Sequence, residues 1–80
     1  MEIQLNTPKK IILVQEVSVM ADKIKVNHVI DNGNMVEVDI DLIKEGQSQN
    51  QIWTLWDGQD YIDIGNWTDE DVKNRILELI

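Results

Sequence analysis

The chain has 80 residues, no cysteine, three tryptophans and a formal net charge of −8. A single domain of that length buries only roughly 60–65% of the surface its unfolded chain exposes, and without cysteine neither a disulfide nor a thiolate metal site can reinforce it. Close packing around large residues, or association with another chain, must supply the rest. The acidity argues against direct nucleic-acid binding and against an anionic membrane surface, both of which need clustered Lys and Arg. Its seven basic residues are instead scattered among fifteen carboxylates. No apolar run approaches the ~20 residues that span a bilayer, and the first residues do not read as a secretory signal. The expected location is therefore cytoplasmic.

Residues 1–80 read as one domain with strands first and a helix last. Glu2 to Asn6 alternates polar and apolar residues and stops at Thr7-Pro8, the mark of a short edge strand. Ile11 to Met20 reads as one longer strand. Its first half, Ile11-Ile12-Leu13-Val14, is apolar on both faces and calls for cover on both sides, from the helix or a neighbouring subunit.

A hairpin is predicted across Asp31-Asn32-Gly33. Ile24, Val26, His28 and Ile30 share one face of the first strand, and Val36, Val38, Ile40 and Leu42 share one face of the second. A two-residue Asn32-Gly33 loop would set Val26 opposite Asp39 and Ile24 opposite Asp41. A three-residue loop with Gly33 left-handed instead pairs Val26 with Val38 and Ile24 with Ile40. It also sets Lys25 beside Asp39 and Lys23 beside Asp41. Apolar matching and charge matching select the same register, so the three-residue loop is the expectation.

Glu45 to Asn50 is polar and reads as a solvated loop. Gln51 to Trp56 reads as a strand, with Ile52, Thr54 and Trp56 on one face and Trp53 and Leu55 on the other. Tyr61 to Ile64 fits either a short strand or a helical turn. Thr68 then has the character of a helix N-cap, with Asp71 as a short capping-box acid and Asp69, Glu70 and Asp71 all in the first turn. Trp67 and Val72 have hydrophobic-staple spacing. Val72, Ile76, Leu79 and Ile80 form the apolar stripe, leaving Lys73, Asn74 and Glu78 to face water. The pattern predicts an α+β fold: a small antiparallel sheet of four or five strands with one C-terminal helix.

No set of residues reads as a catalytic, cofactor-binding or metal site, so no cofactor is expected and the chain reads as non-enzymatic. His28, the single histidine, lies in register with apolar neighbours and reads as a half-buried strand residue; a general base would need a partner that the spacing does not supply. Ser18 and Ser48 stand in no nucleophile context. Asp57, Asp60 and Asp63 recur every third residue but lack the alternate ligands, central glycine and distal acid of a calcium loop, so they read as turn and surface residues. Trp53, Trp56, Tyr61 and Trp67 read chiefly as core volume and as the seat of the helix. A stacking platform or a protein-binding surface is the alternative. Glu37, Asp39 and Asp41 form the polar face of a strand.

The segment Leu55-Trp56-Asp57-Gly58, with Tyr61, Ile64-Gly65, Trp67-Thr68-Asp69-Glu70-Asp71-Val72 and Arg75-Ile76, resembles the C-terminal part of small proteins encoded in tailed-phage and prophage genomes. The resemblance covers the last third of the chain. It implies a phage-derived accessory or virion-associated protein that works by contact, in the host cytoplasm or on the particle. The expected partner is a second copy of the chain or another protein. The alternative is an acidic inhibitor, a nucleic-acid mimic that occupies a basic site on a protein.

Overall fold

The computed structural model describes residues 1–14 and 17–80. Strands β1 (Glu2–Val14), β2 (Val17–Asp31), β3 (Met35–Lys44) and β4 (Gln47–Asp57) form one antiparallel sheet in that order. Helices α1 (Gly58–Ile64) and α2 (Asp69–Leu79) follow. The α+β class and the small antiparallel sheet are as the sequence predicts, and the undecided Tyr61–Ile64 segment is helical.

Ile11 to Met20 is not one strand. Ile11–Val14 ends β1 and Val17–Met20 opens β2, with Ile11 opposite Val19 and Ile12 opposite Ser18. Gln15 and Glu16 lie outside the described residues. Among the described residues, the two-sided cover expected for this stretch is not supplied at Ile12. Ile11 is buried while Ile12 is 70% exposed. Earlier in β1 the ladder breaks between Gln4 and Lys9, around Thr7-Pro8, where proline has no N–H to donate. Across that break the Gln4 side chain donates to the Asp22 carbonyl at 3.0 Å and replaces a ladder bond.

The β2–β3 hairpin departs from the predicted register. The Asn32 amide bonds the Met35 carbonyl, so the loop is Gly33-Asn34, one position later than expected. Gly33 has φ +89°, and a glycine with positive φ at the first of two central positions is the signature of a II′ hairpin. Asp31 accepts from the Gly33 amide, and Asn32 accepts from the Asn34 and Met35 amides, which fixes the turn there. A bulge at Asn27 then adds one residue to β2. Below the bulge Val26 faces Ile40 and Ile24 faces Leu42, while Lys25 faces Asp41; above it His28 faces Asp39. Apolar matching is kept, but with different partners. Lys23 pairs instead with Glu2 across the β1 edge at 3.7 Å.

Glu45 to Asn50 is also not a loop. Only Glu45-Gly46 turns, with φ of +52° and +81°, the pattern of an I′ hairpin. Gln47 to Asn50 is exposed edge strand. All four of those side chains are exposed. A second bulge at Leu55 lets consecutive residues Leu55 and Trp56 both turn inward, together with Trp53, instead of alternating as expected. The bulge removes Leu55 from the ladder, and its carbonyl accepts from Arg75 Nε at 2.9 Å.

Helix α1 ends at Gly65, whose φ of +59° lies where a Cβ is unfavourable. Helix α2 begins with the predicted capping box. Thr68 Oγ1 accepts from the Asp71 amide at 3.2 Å, and Asp71 Oδ2 accepts from the Thr68 amide at 2.9 Å. Val72 and Ile76 are fully buried and join Ile3, Leu5, Ile24, Val38, Ile40 and Trp56 in one core between the helix and the inner sheet face. Burial of each such aliphatic side chain stabilises by about 1.5–3 kcal/mol, which is what holds a short helix in place.

Candidate interaction site

Two places in this framework gather unusual chemistry: one is closed and one is open. The closed one is the tip of the β2–β3 hairpin. Asp31 pairs with Val36 and therefore sits at the end of the inner face. Its Oδ2 accepts from Trp67 Nε1 at 2.9 Å and its Oδ1 from Tyr61 Oη at 2.7 Å, in addition to the Gly33 amide. One carboxylate thus ties the hairpin to α1 and to the entry of α2. The Trp67 indole first, then the Gly33 amide and the Tyr61 hydroxyl, hold the Asp31 carboxyl below the usual carboxylate range. The same bond to Asp31, with burial and the carboxylate's charge, raises the Tyr61 phenol.

The open place is the seam of the sheet. Among the described residues, β1 pairs only with β2 and β4 only with β3, so each presents an unpaired edge. Lys10-Ile11-Ile12 of β1 and Ile52-Trp53-Thr54 of β4 line the two sides of one slot, of about 450 Å³, with Leu79 and Ile80 at its base. Ile11 and Trp53 point inward. Ile12 and Ile52 lie on the outer face at 70% and 60% exposure. Lys10 is the one ionisable side chain that lines the slot.

The residues singled out by sequence fall into place around these features. Trp56 is buried, and Trp53, Tyr61 and Trp67 are half-buried against the core. Their volume serves the fold, while Tyr61 and Trp67 also spend their polar atoms on Asp31. His28 is exposed rather than half-buried, because the Asn27 bulge turns it to the outer face opposite Asp39. Ser18 and Ser48 are exposed. Asp57 precedes α1 without a side-chain cap, Asp60 lies in its first turn, and Asp63 accepts from Gln59 at 2.8 Å. Asp39 and Asp41 share the Asn50 amide at 2.7 and 2.9 Å. That amide first, then Asn27 and the charge of Lys25, keep Asp41 below its ordinary value against burial. Among the described residues no group of three or more His, Cys, Asp or Glu is arranged to hold a metal ion. Among the described residues no helix is long and apolar enough to cross a membrane.

The Asp31 link went unread in the sequence because its partners are 30 and 36 residues away. The signal was the polar atoms of Tyr61 and Trp67, which need acceptors wherever their rings pack against a core.

Comparison of the chain with family models, curated proteins and solved structures finds no match.

Proposed function

We propose that this protein is a non-enzymatic interaction module that engages another polypeptide through the free strand edges at the seam. One observation carries the reading: two unpaired edges, each with an exposed isoleucine, flank a single slot. Unpaired strand edges are templates for strand addition, in which main-chain hydrogen bonds provide affinity and alternate side chains provide selectivity. Covering Ile12 and Ile52 contributes up to about 1.5–3 kcal/mol each. The resemblance of the last third to phage-encoded proteins extends the proposal to a structural or assembly accessory of a phage particle, acting in the host cytoplasm or on the virion.

The acidic-mimic alternative has weaker support. Glu37, Asp39 and Asp41 alternate along β3, but Lys25 stands opposite Asp41 across the ladder and breaks the negative stripe.

Hydrogen exchange combined with light scattering tests whether the seam mediates self-association. If the partner is a second copy, the slot-facing amides of β1 and β4 exchange rapidly in the monomer and gain protection as particle mass rises with concentration. A strict monomer at every concentration would eliminate self-association and leave a different protein as the partner.

A further inference from the structure

We infer that the slot accepts one extended segment of another protein as a fifth strand, and that this segment carries a carboxylate at the end that meets Lys10. The inference rests on the reading of the seam as the contact surface and specifies what fills it.

The walls identify the class of ligand. Both are strand edges, so both present main-chain N–H and C=O groups, which an extended peptide satisfies and a hydrocarbon does not. Ile11 and Trp53 line the slot from the inner side of the sheet, and Ile12 and Ile52 from the outer side. A strand laid between them therefore meets apolar side chains on both of its faces. Because β1 and β4 run in opposite directions, that strand is antiparallel to one wall and parallel to the other.

The same geometry disfavours a second folded copy. Each edge of such a copy is backed by its own sheet, whereas the slot has strand on both sides and helix residues at its base. A net charge of −8 adds repulsion between copies.

Charge fixes the polarity of the occupant. Lys10 lies at one end of the β1 wall, and the slot's remaining lining carries no ionisable side chain. The rest of the acidic chain repels a generally anionic partner. The complementary segment is therefore apolar or β-branched, with a single acid at that end.

The test uses the full chain with two fluorescein-labelled peptides: a short alternating valine–threonine strand ending in glutamate, and the same strand ending in lysine. Anisotropy should show the glutamate peptide binding more tightly, with quenching or shift of the tryptophan emission, to which Trp53 contributes with Trp56 and Trp67. Lys10→Glu should reverse the preference by about tenfold, and Ile52→Lys should weaken both peptides by at least about tenfold. Circular dichroism of each variant checks that the fold is kept. If Ile52→Lys abolishes binding but Lys10→Glu changes nothing, the seam reading stands and the carboxylate is wrong. If Ile52→Lys leaves peptide affinity unchanged, both fail. If neither peptide binds, the fifth-strand inference is overturned, while self-association at the seam is judged by scattering alone.

Discussion

The hairpin tip and the seam treat their polar groups in opposite ways. At the tip, Asp31 gathers an indole, a phenol and a backbone amide from three parts of the chain. At the seam, two strands of the same sheet have no partner on their outer edges among the described residues. The first arrangement ties the helical segment to the sheet through a single carboxylate. The second leaves main-chain chemistry available. A small domain that spends its aromatic polar atoms at one place keeps a second place free for contact, and the two can be perturbed separately.

The largest effect is expected where the comparison has its common base, in the core beneath both regions. Ile76 is fully buried against the inner face of the sheet. Ile76→Asp places an unpaired carboxylate there and should cost more than about 4 kcal/mol, enough to abolish the cooperative thermal transition of a domain this small. A transition near the wild-type midpoint would show that α2 is not docked as described.

A smaller loss is expected at the tip. Asp31→Asn keeps the shape but removes the charge that Trp67 and Tyr61 address, so thermal stability should fall while the sheet is retained. Acid should act the same way. The Asp31 carboxyl is held below its ordinary value in the folded chain, so its contribution is present above the unfolded value of about 4 and is lost as pH falls through the folded value. Tyr61 has the opposite sign. Its phenol is raised, so its share is present below about pH 10 and is lost as pH rises through the folded value. Wild-type protein should lose midpoint at both extremes, and Asp31→Asn should flatten both arms. Equal slopes in the two proteins would remove the tip from the account of stability.

Next in size is the cap that begins α2. Thr68→Ala removes one half of the reciprocal bond with Asp71 and should cost about 0.5–2 kcal/mol in denaturant unfolding, with the slope of the transition unchanged.

What the sequence made legible follows the range of the interactions. The Thr68–Asp71 box and the first two members of the apolar stripe, Val72 and Ile76, are set by residues within one or two turns of each other and stand where the pattern puts them, whereas Leu79 of the same stripe is 45% exposed. The inner face of β3 was equally clear, because Val36, Val38, Ile40 and Leu42 alternate without interruption. Registers were lost where one extra residue changes everything after it. The Asn27 bulge turns His28 outward, and the Leu55 bulge brings Trp56 to the same side as Trp53. No periodicity announces a bulge in advance. The division of Ile11–Met20 between two strands was hidden for a related reason: that stretch contains neither glycine nor proline to mark a reversal. The seam was half legible. Ile11-Ile12-Leu13-Val14 is too apolar for a strand with one wet face, and the structure leaves Ile12 70% exposed.

The smallest effect on stability is expected at the seam. Ile52 is 60% exposed and on the outer face, so Ile52→Lys removes little buried apolar area from the folded monomer. Its unfolding free energy should stay within about 0.5 kcal/mol of wild type. The unfolded chain gains a charge as well, which keeps the two end states nearly balanced. Ile52 sits between Gln51 and Trp53, whose side chains turn inward, so the lysine has no route into the core without reversing the local pleat. A marked destabilisation would mean that Ile52 is covered in the protein in solution, by this chain or another copy. Stability unchanged with edge-dependent binding lost would separate the two regions cleanly: the tip holds the fold, and the seam is left for what it meets.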